Sequence, residues 1–422
     1  MTIFQTRLTG LTLSLAAGLA AGSATADPSV EVMHFWTSGG EAAALAAVRD
    51  AVVAQRVTWD DAPVAGGGGD AARTVLQARI AAGDPPTAML LLGQNILDWS
   101  QEGMLGNVDD LAAQQGWSQV LPNAVRAYTE IDGHYVSAPT NVHRTDMIWA
   151  SRAAFEAIGA EVPTTWEAFN ALVPQFIDAG IVPLAHGGQA WQEAYMFEAV
   201  ALGLGGSDFY RQALVELDPE ALTSATMVEI FTQLALIRDT MIDDNASGRD
   251  WNLATAMVIN GEAAMQIMGD WAKGEFTNAG QVAGENFLCF PVPRSQETGF
   301  IFLVNSLTFF EQSDPDMMAG QAALASAIMS PEVQIAFNIA KGSIPARNDI
   351  DLSSLDACAQ ASAADFAAAD AAGTAVPTFA GSHAAAAAVV GGATDAITEF
   401  FNSDMSPEDG VTLLSEAVLL NQ

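Results

Sequence analysis

The sequence runs to 422 residues with 50 acidic and 15 basic side chains, a formal net charge of −35. Phosphate backbones and anionic headgroups repel such a chain, which argues against nucleic acid or lipid as partners. Charged residues are only 15% of the whole, so the acidity is largely unpaired; it reads as a solubility or salt adaptation and does not identify a ligand.

Residues 1–26 read as an export signal. Arg7 gives a weakly basic start, an apolar stretch runs from Leu11 to Ala21, and Ala24-Thr25-Ala26 supplies small residues at −3 and −1. The apolar stretch falls short of the roughly 20 residues that span a bilayer. No lipid-attachment Cys follows, so a soluble mature protein beginning near Asp27 is expected. What remains is too long for one domain of roughly 100–200 residues, and two lobes are expected.

Val30 to Trp36 reads as a strand, broken by Thr37-Ser38-Gly39-Gly40, with Glu41 opening an Ala-rich helix to about Val53. A strand–loop–helix unit points to α/β architecture. Ligands in such sheets sit at the carboxyl ends of strands beside helix N-termini, which puts Trp36 to Glu41 at a binding edge. Val57-Thr58-Trp59 is the next strand, Gly66 to Gly69 a turn, and Asp70 is expected to cap a helix to Ala82. These glycines lack the Lys-Ser/Thr of a phosphate loop, and an acidic cap opposes phosphate.

Asp84-Pro85-Pro86 turns the chain into Ala88–Leu92, a wholly apolar run expected in the middle of a sheet. Helices are expected near 95–102 and 108–115. Tyr135 to Val142, leading into Met147–Trp149, reads as a first crossing between lobes. Residues 151–256 are mainly helical, with Thr165 capping one helix and Ile181 to Leu184 forming a short strand. Ala263 to Met268 is a strand ending at Gly269-Asp270-Trp271. Phe287–Val292 and Phe300–Phe310 are further strands, Met318 to Ala340 is helical, and Gly342-Ser343-Ile344-Pro345 carries the chain out again. Ala-rich tracts at 361–372 and 384–388 are helix formers.

Cys289 and Cys358 are the only cysteines. In an exported chain such a pair predicts one disulfide. Neither has His or Cys at metal-ligand spacing, so no metal site is expected.

A sugar presents apolar C–H faces and a rim of hydroxyls. It calls for an aromatic ring on the face and charged or amide groups on the rim, where each charged hydrogen bond contributes about 1.5–3 kcal/mol. Trp36 and Trp271 both follow strands, where a ring can project into a cleft; together they could sandwich a pyranose. Glu41 is favoured at a helix start by the dipole alone. Lys341 is favoured at a helix end in the same way. Yet Lys273 and Lys341 are the only lysines in the chain, which points to a specific use. His383 precedes an Ala-rich helix and reads equally as a cap-region residue.

Six ordered segments carry a resemblance. They are His34-Phe35-Trp36-Thr37-Ser38-Gly39-Gly40-Glu41, Ala65-Gly66-Gly67-Gly68-Gly69-Asp70, Gly83-Asp84-Pro85-Pro86-Thr87, Asn141-Val142-His143-Arg144, Met268 to Phe276 and Lys341-Gly342-Ser343-Ile344-Pro345. In this order they resemble the ABC-transporter sugar-binding proteins of extracellular solute-binding family 1, most of all the glucose/mannose-binding branch. The resemblance implies a two-lobed α/β fold of the type II periplasmic binding proteins with three interlobe crossings. Lobe 1 is expected at 27–138 and 302–343, and lobe 2 at 139–301 and 344–422.

It further implies a monomer that binds a small neutral sugar, delivers it to a membrane permease, and needs no cofactor or catalysis. Phe35, Trp36 and Trp271 are expected to flank the sugar, and Glu41, Lys341 and His383 to bond its hydroxyls. By position in the more distant maltose-binding relatives, Gln94, His143, Gln189 and Trp191 also face the cleft. Three departures stand out. Leu92 replaces a lysine of the glucose-binding branch, Asn305, at a ligand-facing position, replaces its usual Asp, and Phe35 replaces a commoner Trp. Losing a charged partner changes which hydroxyls are recognised, so the sugar's identity stays open.

Two rival readings remain. One is an exported glycoside-active enzyme using paired carboxylates, although acidic pairs are uninformative here and no Gly-x-Ser-x-Gly or His-Glu-x-x-His is present. The other is the same fold holding a cationic solute such as a polyamine.

Overall fold

The computed structural model describes residues 27–66, 69–294 and 299–422. The expected export signal and the glycines at 67 and 68 lie outside the described residues. The strands are β1 (Ser29–His34), β2 (Thr58–Pro63), β3 (Ala88–Leu92), β4 (Glu130–Ile131), β5 (His134–Tyr135), β6 (Ser137–Arg144), β7 (Met147–Ser151), β8 (Val182–Leu184), β9 (Ala263–Ile267), β10 (Phe287–Pro291), β11 (Phe300–Phe309) and β12 (Ala375–Pro377). The main helices are α1 (Gly39–Ala54), α2 (Asp70–Ala81), α3 (Gln94–Gln101), α4 (Trp166–Asp178), α5 (Ala190–Tyr210), α6 (Ala225–Thr240), α7 (Trp251–Ile259) and α8 (Ala272–Asn278). They are followed by α9 (Pro315–Ile328), α10 (Pro331–Lys341), α11 (Ala357–Ala372), α12 (Ala387–Phe401) and α13 (Pro407–Leu420).

Two sheets organise these elements. The first has the order β12-β11-β3-β1-β2, with β6 also on β11; β1 runs parallel to β2 and β3, and β11 antiparallel to β3 and β6. The second has the order β10-β7-β9-β8. Strands β3, β7 and β9 are buried along their whole length, as their apolar runs predict for strands covered on both faces. A core around Val32, Leu90, Val142 and Leu307 supports the first sheet, and another around Ile148, Phe197, Phe231 and Leu234 supports the second. A third apolar cluster joins Leu92 and Leu303 of the first sheet to Trp149 of the second, Tyr195 of α5 and Trp271 at the start of α8.

The chain passes between the sheets three times: from β6 to β7, from β10 to β11, and from β12 to α12. The first two crossings are bonded together. Asp146 accepts the backbone N–H of Ile301 at 3.1 Å, Thr145 N–H donates to Ile301 O, and Arg144 and Arg294 both hold Asp146. The third is fastened by Glu198 of α5, whose carboxylate accepts from Thr145, Thr378 and Tyr210 hydroxyls and from the Phe379 and Ala380 N–H groups. Beyond Lys341 the chain serves both sheets. Strand β12 and α11 pack on β11, while α12 and α13 pack on α5 and α6. The disulfide Cys289–Cys358 ties β10 to the first turn of α11, with Cα atoms 6.1 Å apart. No described helix is long and apolar enough to cross a membrane.

Local expectations fail at four places, each for a physical reason. β1 ends at His34, because its ladder to β2 stops at Pro63, and Phe35 to Ser38 form the turn into α1. Asp70 is the first residue of α2 and not its cap: Gly69 takes that position with φ 85°, and the Asp70 carboxylate is held by Arg73. The helix expected over 318–340 divides, because Pro331 cannot donate a backbone hydrogen bond and Ser330 caps a new helix through the Val333 N–H. Finally, α12 starts only at Ala387, since the His383 and Ala384 N–H groups bond Thr378 O.

Candidate ligand-binding cleft

The turn after β1 is fixed by a reciprocal cap. Ser38 Oγ accepts the Glu41 N–H at 3.4 Å, and Glu41 Oε2 accepts the N–H groups of Thr37 (3.1 Å) and Ser38 (3.2 Å). The other carboxylate oxygen accepts Lys341 Nζ at 3.0 Å. Lys341 ends α10, where Gly342 adopts φ 91°, and its ammonium lies 5.6 Å from the Trp36 ring centroid. Trp36 is only 2% exposed and packs on Phe337 at 5.3 Å.

On the other side, β9 runs through Gly269-Asp270 to Trp271 at the start of α8. Glycines let this connection reach the first lobe. A Cβ on Gly40 would lie 2.8 Å from the backbone of Gly274, and one on Gly274 would lie 2.6 Å from Ala340 O. Glu275 accepts the Gly40 N–H at 2.9 Å. The α8 start is thereby held against α1 and α10.

Trp271 is bordered by three rings: His143 edge-on at 5.1 Å, Tyr195 at 5.2 Å and Trp191 at 6.3 Å. Asp270 holds His143 Nδ1 with one oxygen and accepts the Arg144 N–H at 3.1 Å with the other. His143 is 1% exposed, and burial holds its imidazole below the ordinary histidine range. It is therefore neutral near pH 7 with Nδ1–H on Asp270, which leaves Nε2 as a bare acceptor. That nitrogen, and the Nε1–H of Trp191, have no partner among the described residues.

These groups line one cavity of about 590 Å³. Of the residues expected from sequence, Phe35, Trp36, Glu41, His143, Trp191, Trp271, Asn305 and Lys341 line it, as does Leu92. Among the described residues, no cluster of three or more His, Cys, Asp or Glu could hold a metal ion. Residues 39–306 match the family model of the bacterial extracellular solute-binding proteins. The chain belongs to that family.

A probable sugar-binding periplasmic protein of Rhizobium meliloti (strain 1021) is 48% identical over 400 residues, covering 95% of this chain and 96% of the relative. Another, of Brucella suis biovar 1, is 45% identical over 406 residues, covering 96% of each. The solved structure of a chitin oligosaccharide binding protein superposes with a TM-score of 0.80 at 17% identity, covering 94% of this chain and 99% of that one. The two-lobed fold is shared with it.

Three of the expected residues lie elsewhere in this solute-binding protein. His383 donates from Nδ1 to Gly381 O at 2.9 Å and accepts the Val304 N–H on Nε2 at 3.1 Å. Burial pushes it down to about 4, so it is a neutral brace for the loop at 380–382, which does line the cavity. Gln94 opens α3 with its N–H on Ser382 O; a Cβ on the preceding Gly93 (φ 45°) would lie 2.1 Å from that oxygen. Gln189 supports from behind, donating to the cavity-lining Asp250 at 2.9 Å and accepting from Gln192.

The cavity walls of the solute-binding protein also include Tyr195, Trp251, Asn252, Leu303 and one face of α12, none of which the sequence singled out. Trp251 carried a usable signal: Asp250-Trp251 at a helix start repeats the Asp270-Trp271 pairing. The α12 face has only Thr394 and Asp395 as chemistry-bearing residues, among Ala, Val and Gly, and gave none.

Proposed function

We propose that the protein is the periplasmic receptor of an ABC importer and captures a neutral sugar in the cleft between its lobes. The carrying observation is the pair of unpartnered polar atoms beside Trp271. His143 Nε2 can only accept, and Trp191 Nε1–H can only donate. A hydroxyl-bearing ring answers both and lays its C–H face on indole. Each buried group left unsatisfied costs about 1–3 kcal/mol, which a bound hydroxyl restores. Phe35, Trp36, Asn305, Glu41 and Lys341 complete the wall from the first lobe.

Closure about the three crossings then needs only tighter binding to the closed form. The closed form docks on the permease, and the protein acts as a monomer exported with cleavage after Ala26. A glycosidase reading is disfavoured because the inner carboxylates are engaged: Glu41 by Lys341, Asp270 by His143 and Arg144. A cationic solute gains nothing from Glu41, whose charge Lys341 already offsets.

The test is a thermal-shift screen of the mature protein against hexoses, pentoses and small oligosaccharides, with putrescine and spermidine alongside. A ligand at 100 times its Kd stabilises by about 2.7 kcal/mol. Stabilisation by a polyamine and by no saccharide would end the proposal, as would sustained release of reducing sugar.

A further inference from the structure

The chain keeps two lysines, and the cleft uses one of them. The other, Lys273, is the second residue of α8. It is 1% exposed, and its ammonium lies 2.5 Å from the Asp356 carboxylate. Asp356 caps α11 by accepting the Ala359 N–H at 2.9 Å, so the cation holds the start of that helix. Two residues further on, Cys358 is joined to Cys289 of β10. Both attachments lead to the second lobe. Cys289 pairs with Trp149 in the β10–β7 ladder, and α8 packs through Phe276 on Phe287 of β10, their ring centroids 4.4 Å apart.

The body of α11 belongs to the first lobe. Ala359, Phe366 and Ala369 are buried in the core of the first sheet, and the Phe366 ring lies 5.2 Å from that of Phe300 on β11. Midway along the helix, Asp365 accepts from Arg144 at 2.7 Å, beside the first crossing. One helix is thus rooted in one lobe and fastened by its first turn to the other, through a covalent bond and a buried ion pair. None of the four fastening side chains lines the cavity.

Rotation of the lobes about the crossings shifts β10 and α8 against the body of α11, and the fastened turn resists that shift. In the arrangement it holds, walls from both lobes line one cavity, and Glu275 of α8 accepts the Gly40 N–H of α1. The fastening therefore favours the form in which the binding groups converge. A receptor whose competent form is only a fraction of the population binds with an apparent Kd raised by the inverse of that fraction.

We propose that Cys289–Cys358 and Lys273–Asp356 form a strap that limits lobe opening and so sets ligand affinity from outside the cavity. This rests on the sugar-receptor reading above and goes beyond it, because it assigns affinity to residues that touch no ligand.

Two measurements test the strap, on the oxidised parent, the parent reduced with a phosphine, Cys289→Ala/Cys358→Ala and Lys273→Met. Small-angle X-ray scattering of the unliganded proteins is expected to give a larger radius of gyration whenever a fastening is cut. Calorimetric titration with glucose, mannose, galactose and maltose is expected to show weaker binding in each cut form. A fall in the competent fraction from about one half to about one tenth raises Kd about fivefold. The order of preference among the sugars is expected to stay the same, since no cavity group has changed. An unchanged Kd in every cut form overturns the strap's role in affinity, and so does a changed order of preference. Failure of every saccharide to bind the parent overturns the sugar-receptor reading; the scattering comparison needs no ligand, and an unchanged radius then overturns the strap as well.

Discussion

Lys341 Nζ lies 3.0 Å from Glu41 Oε1, joining residues 300 apart in sequence across the junction of α10 and α1. Both are largely buried, with side-chain exposures of 3% and 12%. The second Glu41 oxygen is already held by two backbone N–H groups, so the carboxylate is oriented before any ligand arrives. The lysine that this chain keeps here is the counter-charge of its own cleft.

Lys341→Met therefore strips a buried carboxylate of its cation. Removing one partner of a buried pair costs about 3–5 kcal/mol, and the lower end applies here because the cap N–H groups remain. Urea denaturation should show that loss, and Glu41→Gln in the same chain should restore most of it. If the single variant is as stable as the parent, the pair is not buried as described.

Trp36 and Trp271 face one cavity from different lobes, but they differ in what else they hold. Trp36→Ala removes a ring that is 2% exposed and packed on Phe337, so about 3–5 kcal/mol of stability goes with it. Trp271→Ala empties the notch between His143, Tyr195 and Trp191. Each variant is expected to abolish the saccharide-induced thermal shift, and Trp36→Ala to lower the unliganded melting temperature as well. Retention of the shift in both variants would mean the ligand sits elsewhere.

His143→Phe keeps a ring beside Trp271 but deletes the Nε2 acceptor. Losing one hydrogen bond to a buried group weakens binding by about 1–3 kcal/mol, roughly five- to a hundred-and-fifty-fold in Kd. Titration calorimetry measures it directly. An unchanged Kd would leave that nitrogen without a role in binding.

The parts of the fold legible in sequence are those where one residue type has one physical use. The apolar run of β3 reads as a central strand, Ala263 to Met268 as a strand, and Thr37 to Gly40 as the break between a strand and a helix. Lys341 stood out by scarcity. What stayed hidden depends on direction. His383 has suitable chemistry, but its ring nitrogens turn back on backbone at Val304 and Gly381, and Gln94 meets that loop at Ser382 through its backbone N–H. The α12 wall is hidden for the opposite reason: Ala387, Val390 and Gly391 contribute space, and space has no sequence signature until the elements around it are placed.

The disulfide Cys289–Cys358 closes a loop of 69 residues and ties β10 of the second sheet to α11, which packs on the first. In the chain-entropy model such a loop contributes about 4 kcal/mol. Reduction, or the Cys289→Ala/Cys358→Ala variant, should lower unfolding stability by roughly that amount in urea titrations. Equal stability of the oxidised and reduced proteins would refute the constraint.

Glu198 gives the fold its own pH dependence. Burial pushes its carboxyl up to about 7, against an ordinary value of 4.5, despite the hydroxyl and N–H donors around it. Between those two pH values the folded chain binds a proton there that the unfolded chain has released. This contribution to stability is complete below pH 4.5 and is lost as pH rises through 7, and its full size is about 3 kcal/mol. His383 acts in the opposite sense: held down to about 4, it contributes stability above the unfolded value of 6.5 that is lost as pH falls through 4. The two terms offset each other in the whole protein, so a difference measurement is needed. Glu198→Gln keeps a neutral acceptor at the crossings without a titrating proton. The stability of the parent minus that of this variant should decline steadily from pH 5 to pH 7.5, and a flat difference would show that Glu198 stays ionised beneath its donors.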